Sequence, residues 1–362
     1  NLPTIPQATV AGAIGTGTHG SGLHIANIAT QVSEIQFVRA DGSLATYSRQ
    51  ESPELLAGAR THLGCLGVVS RLTLDVVPYF EVHNVGFEEV PLSAVVDGFI
   101  PELAPQAYSL SAFCNFAAKE VHPGGGTALV VLRHDVPEGA AAPPAPPERL
   151  YGAARIDESW PMHYSGHGFS AKDSQFGIGR FTWSDGLSMC IRDGEHETAM
   201  VNTDMQAEFF VPLEHGKAAW LAIWEVAARW GVPGVLAQDE RGLVTESGLL
   251  QGMEVRVVKG DDGWLSPHPV DSLCLHFSFD GSLYRLPEVM RACEEVERAI
   301  WRFRPRAHWG KQAPLTFAAA RVAELYGEGL AKFRRLCQEH DPDGKFLNDH
   351  TRQMLYGAGS RL

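Results

Sequence analysis

The chain has 362 residues, 44% hydrophobic and 20% charged, which is typical of a soluble globular enzyme with up to two ordinary domains. Its formal net charge of −13 argues against nucleic acid or an anionic membrane surface as partner, because both attract concentrated Lys and Arg. No apolar run approaches the roughly 18 residues of a membrane-spanning helix, so we expect a cytoplasmic protein with no transmembrane segment.

The opening text NLPTIPQATVAGAIGTGTHGSG is rich in Gly and Thr and does not begin with methionine. Glycines let backbone amides approach a phosphate or a flavin ring, and threonines add hydroxyls beside them. The text matches neither a Walker loop nor GxGxxG, so a flexible surface loop is the alternative. Because the chain opens inside such text, we expect part of a ligand-binding domain to precede it.

The next fifty residues predict a small sheet with one helix. The text EIQFVRADGSL, from Glu34 to Leu44, reads as two short strands joined by an Asp-Gly turn. A short helix is predicted from Glu54 to Ala59. An amphipathic strand that ends before Pro78 follows, with these residues on one face: Val68, Leu72, Leu74 and Val76.

The middle of the chain gives weaker signals. TALVVLRHD predicts a strand, residues 138–148 form a Pro/Ala-rich surface linker, and residues 160–205 are predicted to be irregular. Histidines in this part lack the Glu of a helical HExxH motif, so a metal-dependent hydrolase is a weak alternative and we predict no metal site. These histidines are His163, His167 and His196.

The last 160 residues show strong periodicity. MQAEFFVPLEHG, LLQGMEVRVVKG and SLCLHFSFDG predict strands, and helices are predicted after Pro212, from Pro287 to Phe303 and from Ala318 to His340. The first of these helices has apolar residues at helical spacing: Ala219, Trp220, Ile223, Trp224, Ala227 and Trp230. Since strands and helices alternate without a regular βαβ rhythm, we predict an α+β fold.

The six cysteines are widely scattered and include no CxxC pair. This spacing argues against both a zinc site and a dense disulfide framework, and predicts reduced, mostly buried thiols.

Polar residues stand at alternating positions on two of the predicted strands. Glu254 and Arg256 must share one face of their strand, and His276 and Ser278 alternate in the same way on the next. Facing a pocket, the first pair could bind substrate hydroxyls. If the pair faces water instead, it is an ordinary surface ion pair, and such surface pairs are the more common case.

The text RAHWGK, from Arg306 to Lys311, follows the amphipathic helix and combines two rings, a glycine and cations. A buried Lys or Arg beside a flavin could stabilise negative charge on the reduced ring. A surface loop with a Trp lid is the alternative.

Taken in order, these segments resemble the vanillyl-alcohol-oxidase, or PCMH-type FAD-linked oxidase, family, and more narrowly its alditol oxidase and sugar-1,4-lactone oxidase branch. The resemblance covers nearly the whole chain and is thinnest between residues 80 and 170. The matching text is TVAGAIGTGTHGSG, LGCLGVVSRLTLDVVP, MQAEFFVPLEH, MEVRVV, LHFSF, HWGK and DPDGKFLND. It implies an FAD cofactor and a polyol or sugar lactone as substrate, with hydride transfer to flavin N5 and O₂ reduced to H₂O₂.

The resemblance also implies residue roles. Glu254 and Arg256 orient the substrate, and Lys311 with Arg256 stabilises developing charge; the acceptor of the hydroxyl proton stays open, with Lys311 one candidate. Substrate binding would involve Thr4, Glu254, Arg256, Ser278 and Lys311. The flavin would contact Thr4, Thr9, Gly12, Ala13, Ile14, Gly15, Thr16, Thr18, His19, Gly20 and His308, with Val68 and Val69 near its adenine end.

The implied organisation has three parts. Residues 1–80 would be the C-terminal part of the PCMH-type FAD-binding domain, and residues 81–300 a substrate (cap) domain with an antiparallel sheet flanked by helices. Residues 301–362 would close the active site and pack back on the first part. The family's GxGHS-like loop is absent here, so any histidine linked covalently to the flavin is expected upstream of Asn1. A polyol-binding remnant without catalysis and a dehydrogenase with another acceptor are the alternatives.

Overall fold

The computed structural model describes residues 2–3, 8–115, 126–140, 147–156, 179–182, 204–227, 237–238, 244–245, 249–280 and 283–357. Its helices are α1 (Val10–Gly15), α2 (Pro53–Arg60), α3 (Leu92–Gly98), α4 (Leu213–Ala227), α5 (Leu286–Ile300), α6 (Ala319–His340) and α7 (Asp349–Tyr356). The first eight strands are β1 (Val32–Val38), β2 (Leu44–Ser48), β3 (Val68–Leu74), β4 (Phe80–Pro91), β5 (Ser109–Asn115), β6 (Thr127–Pro137), β7 (Arg149–Leu150) and β8 (Ala153–Ala154). The remaining strands are β9 (Gly179–Thr182), β10 (Asp204–Pro212), β11 (Ala237–Gln238), β12 (Val244–Thr245), β13 (Leu250–Val258), β14 (Ser272–Asp280) and β15 (Arg306–Ala307).

A three-stranded antiparallel sheet, in the order β2-β1-β3, occupies the first eighty residues. Its hairpin turns at Gly42, whose φ of +86° suits glycine, and Asp41 accepts a hydrogen bond from the Ser43 amide at 2.8 Å. The predicted hairpin and the helix α2 are therefore confirmed. The predicted strand ends at Leu74, and Val68 is 60% exposed, so its apolar face is only partly covered.

An eight-stranded antiparallel sheet dominates the rest, in the order β15-β10-β14-β13-β5-β6-β4-β9. One face is apolar because alternating residues of its central strands project to the same side, among them Phe209, Leu275 and Val255. α4 covers this face, and its Gly216 lies against Leu273. Helices with antiparallel sheets confirm the α+β class, and β6 confirms the strand predicted for TALVVLRHD.

The predicted long helices are confirmed, with shifted ends. α5 stops at Ile300, and a single turn of 3₁₀ helix then reaches Phe303, where Arg304 in a left-handed conformation ends it. α6 contains a kink at Gly327, whose φ is +47°. On the predicted apolar face of α4, the side chains that the structure describes are buried: Ala219, Trp220, Ile223 and Trp224.

The C-terminal helices lie against the three-stranded sheet. His340 at the end of α6 accepts a hydrogen bond from Tyr47 Oη at 2.6 Å through Nε2, and its Nδ1 donates to the Leu66 carbonyl at 2.7 Å. Trp264 is wedged between α2 and α6, with its ring against Gly58 and its backbone against Gly329. These contacts join the first eighty residues to the end of the chain.

Several predictions fall wholly or partly outside the described residues: those on Thr4, Trp230 and the three histidines, and most of those on residues 138–148 and 160–205. Within the last segment, Gly179–Thr182 is an edge strand paired with β4, so the irregular prediction is wrong there. The five cysteines that the structure describes are buried and free, as predicted. Among the described helices, none is both long and apolar enough to cross a membrane.

Candidate active site

Polar side chains gather on the second face of the large sheet. Glu208, His276 and Glu254 are register partners across β10, β14 and β13. Cys274 and Arg256, each two residues from His276 or Glu254 along its strand, are also register partners. Because partners in an antiparallel sheet project to the same side, these residues form adjacent rows on one polar face. Ser278 lies on this face too, two residues beyond His276 on β14, and is half-buried.

Glu208 is the centre of the polar face and is 1% exposed. Its Oε1 lies 3.0 Å from His19 Nε2 and 3.2 Å from Arg256 Nη2, and accepts from Cys274 Sγ at 2.6 Å. Its Oε2 forms an ion pair with Lys311 Nζ. Burial alone would raise the pKa of Glu208, but the charges of Lys311, Arg256 and His19 outweigh it and hold that pKa well below the usual range.

The HWGK segment reaches Glu208 because it runs beside β10. β15 pairs with Phe209 and Phe210, and the His308 amide then donates to the Glu208 carbonyl at 3.0 Å. The segment turns back on itself, since the Gly310 amide donates to His308 Nδ1 at 3.0 Å. Trp309 is buried and its Nε1 donates to a carbonyl of the neighbouring loop at 2.8 Å, so the alternative of a surface loop with a Trp lid is wrong.

Glu254 and Arg256 are each 5% exposed, and Glu254 Oε2 lies 3.4 Å from Arg256 Nη2. The alternative of an ordinary surface ion pair is therefore wrong, because the face is covered by His19 and the HWGK segment. Burial lowers the pKa of Arg256, but the two carboxylates Glu254 and Glu208 more than compensate and raise it. His276 Nδ1 lies 3.8 Å from Glu254 Oε2.

In the two rows just described, three buried atoms have no hydrogen-bond partner within the part of the chain that the structure describes. They are Glu254 Oε1, Arg256 Nε and His276 Nε2. Buried polar atoms are costly without a partner, so the face is suited to a polar molecule that supplies one. Burial, with the charge of Lys311, holds the pKa of His276 well below its usual value, so its ring is neutral.

The glycine-threonine segment begins with a short helix rather than a loop. Thr9 caps α1 by accepting from the Gly12 amide at 3.2 Å, and Gly17 at φ +67° then turns the chain. The half-buried hydroxyls of Thr16 and Thr18 are 3.1 Å apart. The flexible surface loop is wrong because the middle of α1 and the turn after it are buried: Ala13, Ile14, Gly15, Gly17, His19 and Gly20.

Residues that follow His19 attach the glycine-threonine segment to the large sheet by hydrogen bonds. The Gly22 amide donates to the Val257 carbonyl at 2.7 Å, and Ser21 Oγ donates to the Leu110 carbonyl. These bonds place His19 over Glu208 and beside two further rings, those of Phe210 at 5.0 Å and His268 at 5.6 Å.

Of the residues named from the sequence, the structure brings together Glu254, Arg256, Lys311, His19 and His308, with Ser278 on the same face. Val68 and Val69 lie apart at the start of β3, where they pair with β1. Gly12 is in α1, and Thr9 is the residue that caps this helix.

Sequence reasoning missed Glu208. It is the one acidic residue inside MQAEFFVP, and it projects to the same side of the strand as Gln206 and Phe210. This isolated charge is the only signal in the sequence that could have identified it. His268 was missed as well. Burial lowers its pKa to about 3, so its ring packs beside His19 in the neutral form.

Donor atoms of His19, Glu208 and Cys274 lie within 4.8 Å of one another, the spacing of metal ligands. The carboxylate is already neutralised by Lys311 and Arg256, which would repel a divalent cation. The cluster therefore fits an ion-pair network better than a metal centre.

Comparison with known proteins places the chain among sugar oxidases. The model of the D-arabinono-1,4-lactone oxidase (ALO) family matches residues 203–354, which include β10, β13 and β14 with the residues of the polar face. An alditol oxidase of Streptomyces sp. is 33% identical over 99% of this chain and 75% of its own length. An L-gulono-1,4-lactone dehydrogenase of Mycobacterium tuberculosis is 24% identical over 98% of this chain and 76% of its own length. An L-gulonolactone oxidase of Mus musculus is 36% identical over 108 residues, 30% of this chain and 24% of its own length. The chain belongs to the family of alditol and sugar-1,4-lactone oxidases.

Proposed function

We propose that this protein is an FAD-dependent oxidase of sugar alcohols or aldono-1,4-lactones that uses O₂ as electron acceptor. The observation that carries the proposal is the buried polar face, where Glu254, Arg256 and Lys311 converge and where Glu254 Oε1 and Arg256 Nε lack a partner among the described residues. The names of the relatives, an alditol oxidase and lactone oxidases, support the substrate class.

The residues of the glycine-threonine segment fit a flavin beside this face. His19 and His308 lie 5.9 Å apart between their ring centroids and border the polar face, and the hydroxyls of Thr16 and Thr18 are half-buried on the approach to it. We assign FAD contacts to the segment from Thr9 to Gly20, with Val68 and Val69 toward the adenine. Bound FAD would supply the acceptor for a hydride from the substrate carbinol carbon, and its electrons would then reduce O₂.

In this proposal the substrate hydroxyls are bound by groups that are already charged before the substrate arrives. Glu254 Oε1 accepts a hydrogen bond from one hydroxyl, and Arg256 Nε and Lys311 Nζ donate to another. As the hydroxyl proton passes to Nε2 of the neutral His276, the two cations stabilise the negative charge that develops on the oxygen. Neutral His276 offers Nε2 beside them, and Ser278 adds a hydroxyl further along β14. Burial of this face excludes water and strengthens each interaction.

We also propose the division of the chain that the resemblance implies. The three-stranded sheet with α1 and α2 is the part of the PCMH-type FAD-binding domain present here, within residues 1–80. Residues 81–300 form the substrate domain around the large sheet, and residues 301–362 close the site through Lys311 and return to the first part through α6.

The experiment uses the product of the complete coding sequence. Released FAD is quantified by chromatography, and H₂O₂ is measured with xylitol, sorbitol and L-gulono-1,4-lactone as substrates. Peroxide formed in step with substrate oxidation supports the oxidase. Reduction of an artificial dye without peroxide would indicate a dehydrogenase, the activity for which one relative over 98% of the chain is named. Colourless protein that takes up no FAD and yet binds polyols by calorimetry would contradict the proposal.

A further inference from the structure

The polar face continues beyond Glu254 onto two further strands of the large sheet. Glu254 is the register partner of Phe113 on β5, and Ser111 lies two residues from Phe113, so its side chain projects to the same side. On β6, Arg133 is the register partner of Ser109, which projects to this side as well. Glu254, Ser111 and Arg133 therefore follow one another across the neighbouring strands β13, β5 and β6.

Arg133 is a buried cation, 3% exposed, and its Nη1 donates to Ser111 Oγ at 3.3 Å. Its Nε has no hydrogen-bond partner among the described residues, and none of their carboxylates forms an ion pair with it. Burial lowers the pKa of Arg133 to about 10, with Glu254 raising that pKa and Arg256 lowering it, so the guanidinium is charged at neutral pH.

This lack of an acidic partner sets Arg133 apart from the other buried arginines that the structure describes. Each of those forms an ion pair with a carboxylate: Arg60 with Asp262, Arg256 with Glu208, and Arg321 with Glu324. A buried charge is costly unless other groups compensate it. Because Arg133 lies on the face that we assign to the substrate, a bound molecule can supply the missing acceptor.

We propose that Arg133 and Ser111 form a distal subsite, which binds the hydroxyls at the end of a polyol remote from the carbon that is oxidised. The inference rests on the proposed function for the identity of the substrate. Neighbouring strands are about 5 Å apart, so an extended polyol bound at Lys311 and Glu254 can place its far end over β5 and β6. The guanidinium offers donors in a fixed plane, and Ser111 Oγ accepts from it while keeping a proton of its own to donate.

The distal subsite would make the enzyme sensitive to substrate length, since a short polyol such as glycerol ends before it. In the FAD-loaded full-length enzyme, we expect Arg133→Met to lower kcat/KM for xylitol and sorbitol about 30-fold, chiefly through KM. For glycerol the change should be less than about threefold. Arg133→Lys is the milder second variant, because it keeps the buried charge but not the planar set of donors, and we expect a loss of about tenfold for xylitol.

The matched control is Arg321→Met, which removes a buried arginine from α6 at the other side of the structure's core sheet contacts, where it pairs with Glu324. It should lower Tm without changing the ratio of kcat/KM for xylitol to that for glycerol. An unchanged ratio in Arg133→Met, or the same change of ratio in Arg321→Met, would overturn the inference. A loss for xylonate without one for xylitol would show that the subsite binds a carboxylate, and would contradict the assignment to hydroxyls.

Calorimetric titration with xylitol separates this inference from the proposed function. If the wild type binds xylitol without oxidising it, the proposed function fails, and a Kd raised about 30-fold in Arg133→Met but not in Arg321→Met would still support the distal subsite. If the wild type oxidises xylitol and Kd is the same in Arg133→Met, the proposed function stands and the distal subsite is rejected.

Discussion

Arg256 Nη2 lies 3.4 Å from Glu254 Oε2, and both side chains are almost completely buried on one face of β13. A second carboxylate, Glu208, holds the same Nη2 at 3.2 Å. One guanidinium is thus fixed between two acids while its Nε has no partner among the described residues. Arg256 Nε is therefore available to a molecule bound on the polar face, and we expect substitution of Arg256 to weaken the binding of that molecule.

Arg256→Lys should lower kcat/KM for the best polyol or lactone by about 100-fold. A single ammonium keeps the charge but cannot reach both carboxylates and a substrate hydroxyl together. Steady-state peroxide assays measure the loss. Arg321→Lys is the control, since Arg321 is also buried but pairs with Glu324 on α6 and packs on Trp301. Similar losses in the two variants would argue against a role of Arg256 in substrate binding.

Lys311→Met should lower kcat by about 10² to 10³, with a smaller effect on KM. Met keeps the length of the side chain but removes the charge that stabilises the developing oxyanion, an interaction worth most in the transition state. Anaerobic stopped-flow reduction of the flavin isolates this step. Lys332→Met is the control because its ammonium pairs with Glu54 and Glu328 at the surface. Full turnover in Lys311→Met would remove the assigned role.

The parts of the fold that local periodicity determines could be predicted from the sequence. The hairpin around Gly42 and the helices α4 to α6 each follow a spacing of apolar residues or a turn signal that lies within one segment. α1 was missed because its glycines suggest a loop, whereas the Thr9 cap and the burial of Ile14 stabilise a helix.

The site could be predicted only in part. Spacing shows that Glu254 and Arg256 share a face, but their burial depends on a cover from His19 and the HWGK segment, which are distant in sequence. The same reason explains why Glu208 was missed, since a lone Glu in a strand acquires its role only from the side chains of Lys311, Arg256 and His19 that tertiary structure brings to it. The roles of His19 and Lys311 came from family resemblance and not from residue spacing.

His62→Asn should reduce the loss of stability in mild acid. The buried ring of His62 accepts from the Gly64 amide through Nδ1, and burial lowers its folded-state pKa to about 4. Between about 6.5 and 4 the unfolded chain binds more protons than the folded one, so the free energy of unfolding falls as pH drops through this window. Asn keeps an acceptor for the amide but does not titrate.

The His62 contribution amounts to about 2 kcal/mol between pH 7 and pH 5. Urea unfolding of both proteins at the two pH values measures it, and the wild type should lose about that much more stability than the variant. Other buried histidines, among them His268 and His340, act equally in both proteins and cancel in this comparison. An equal loss in wild type and variant would show that His62 is not protonated on unfolding.

Gly58→Ala should destabilise the protein by about 2 kcal/mol, although alanine favours helix formation by about 1 kcal/mol over glycine. A Cβ at this position of α2 would overlap the ring carbons of Trp264, which is held in place by α6 on its other side. Thermal or urea unfolding measures the change. The cause is tested by repeating the substitution in a Trp264→Ala background, where the overlap no longer exists and the helix preference should make Gly58→Ala stabilising. An identical cost in both backgrounds would mean that the ring does not set the requirement for glycine, and that the junction between the small sheet and α6 is less tightly packed than the structure shows.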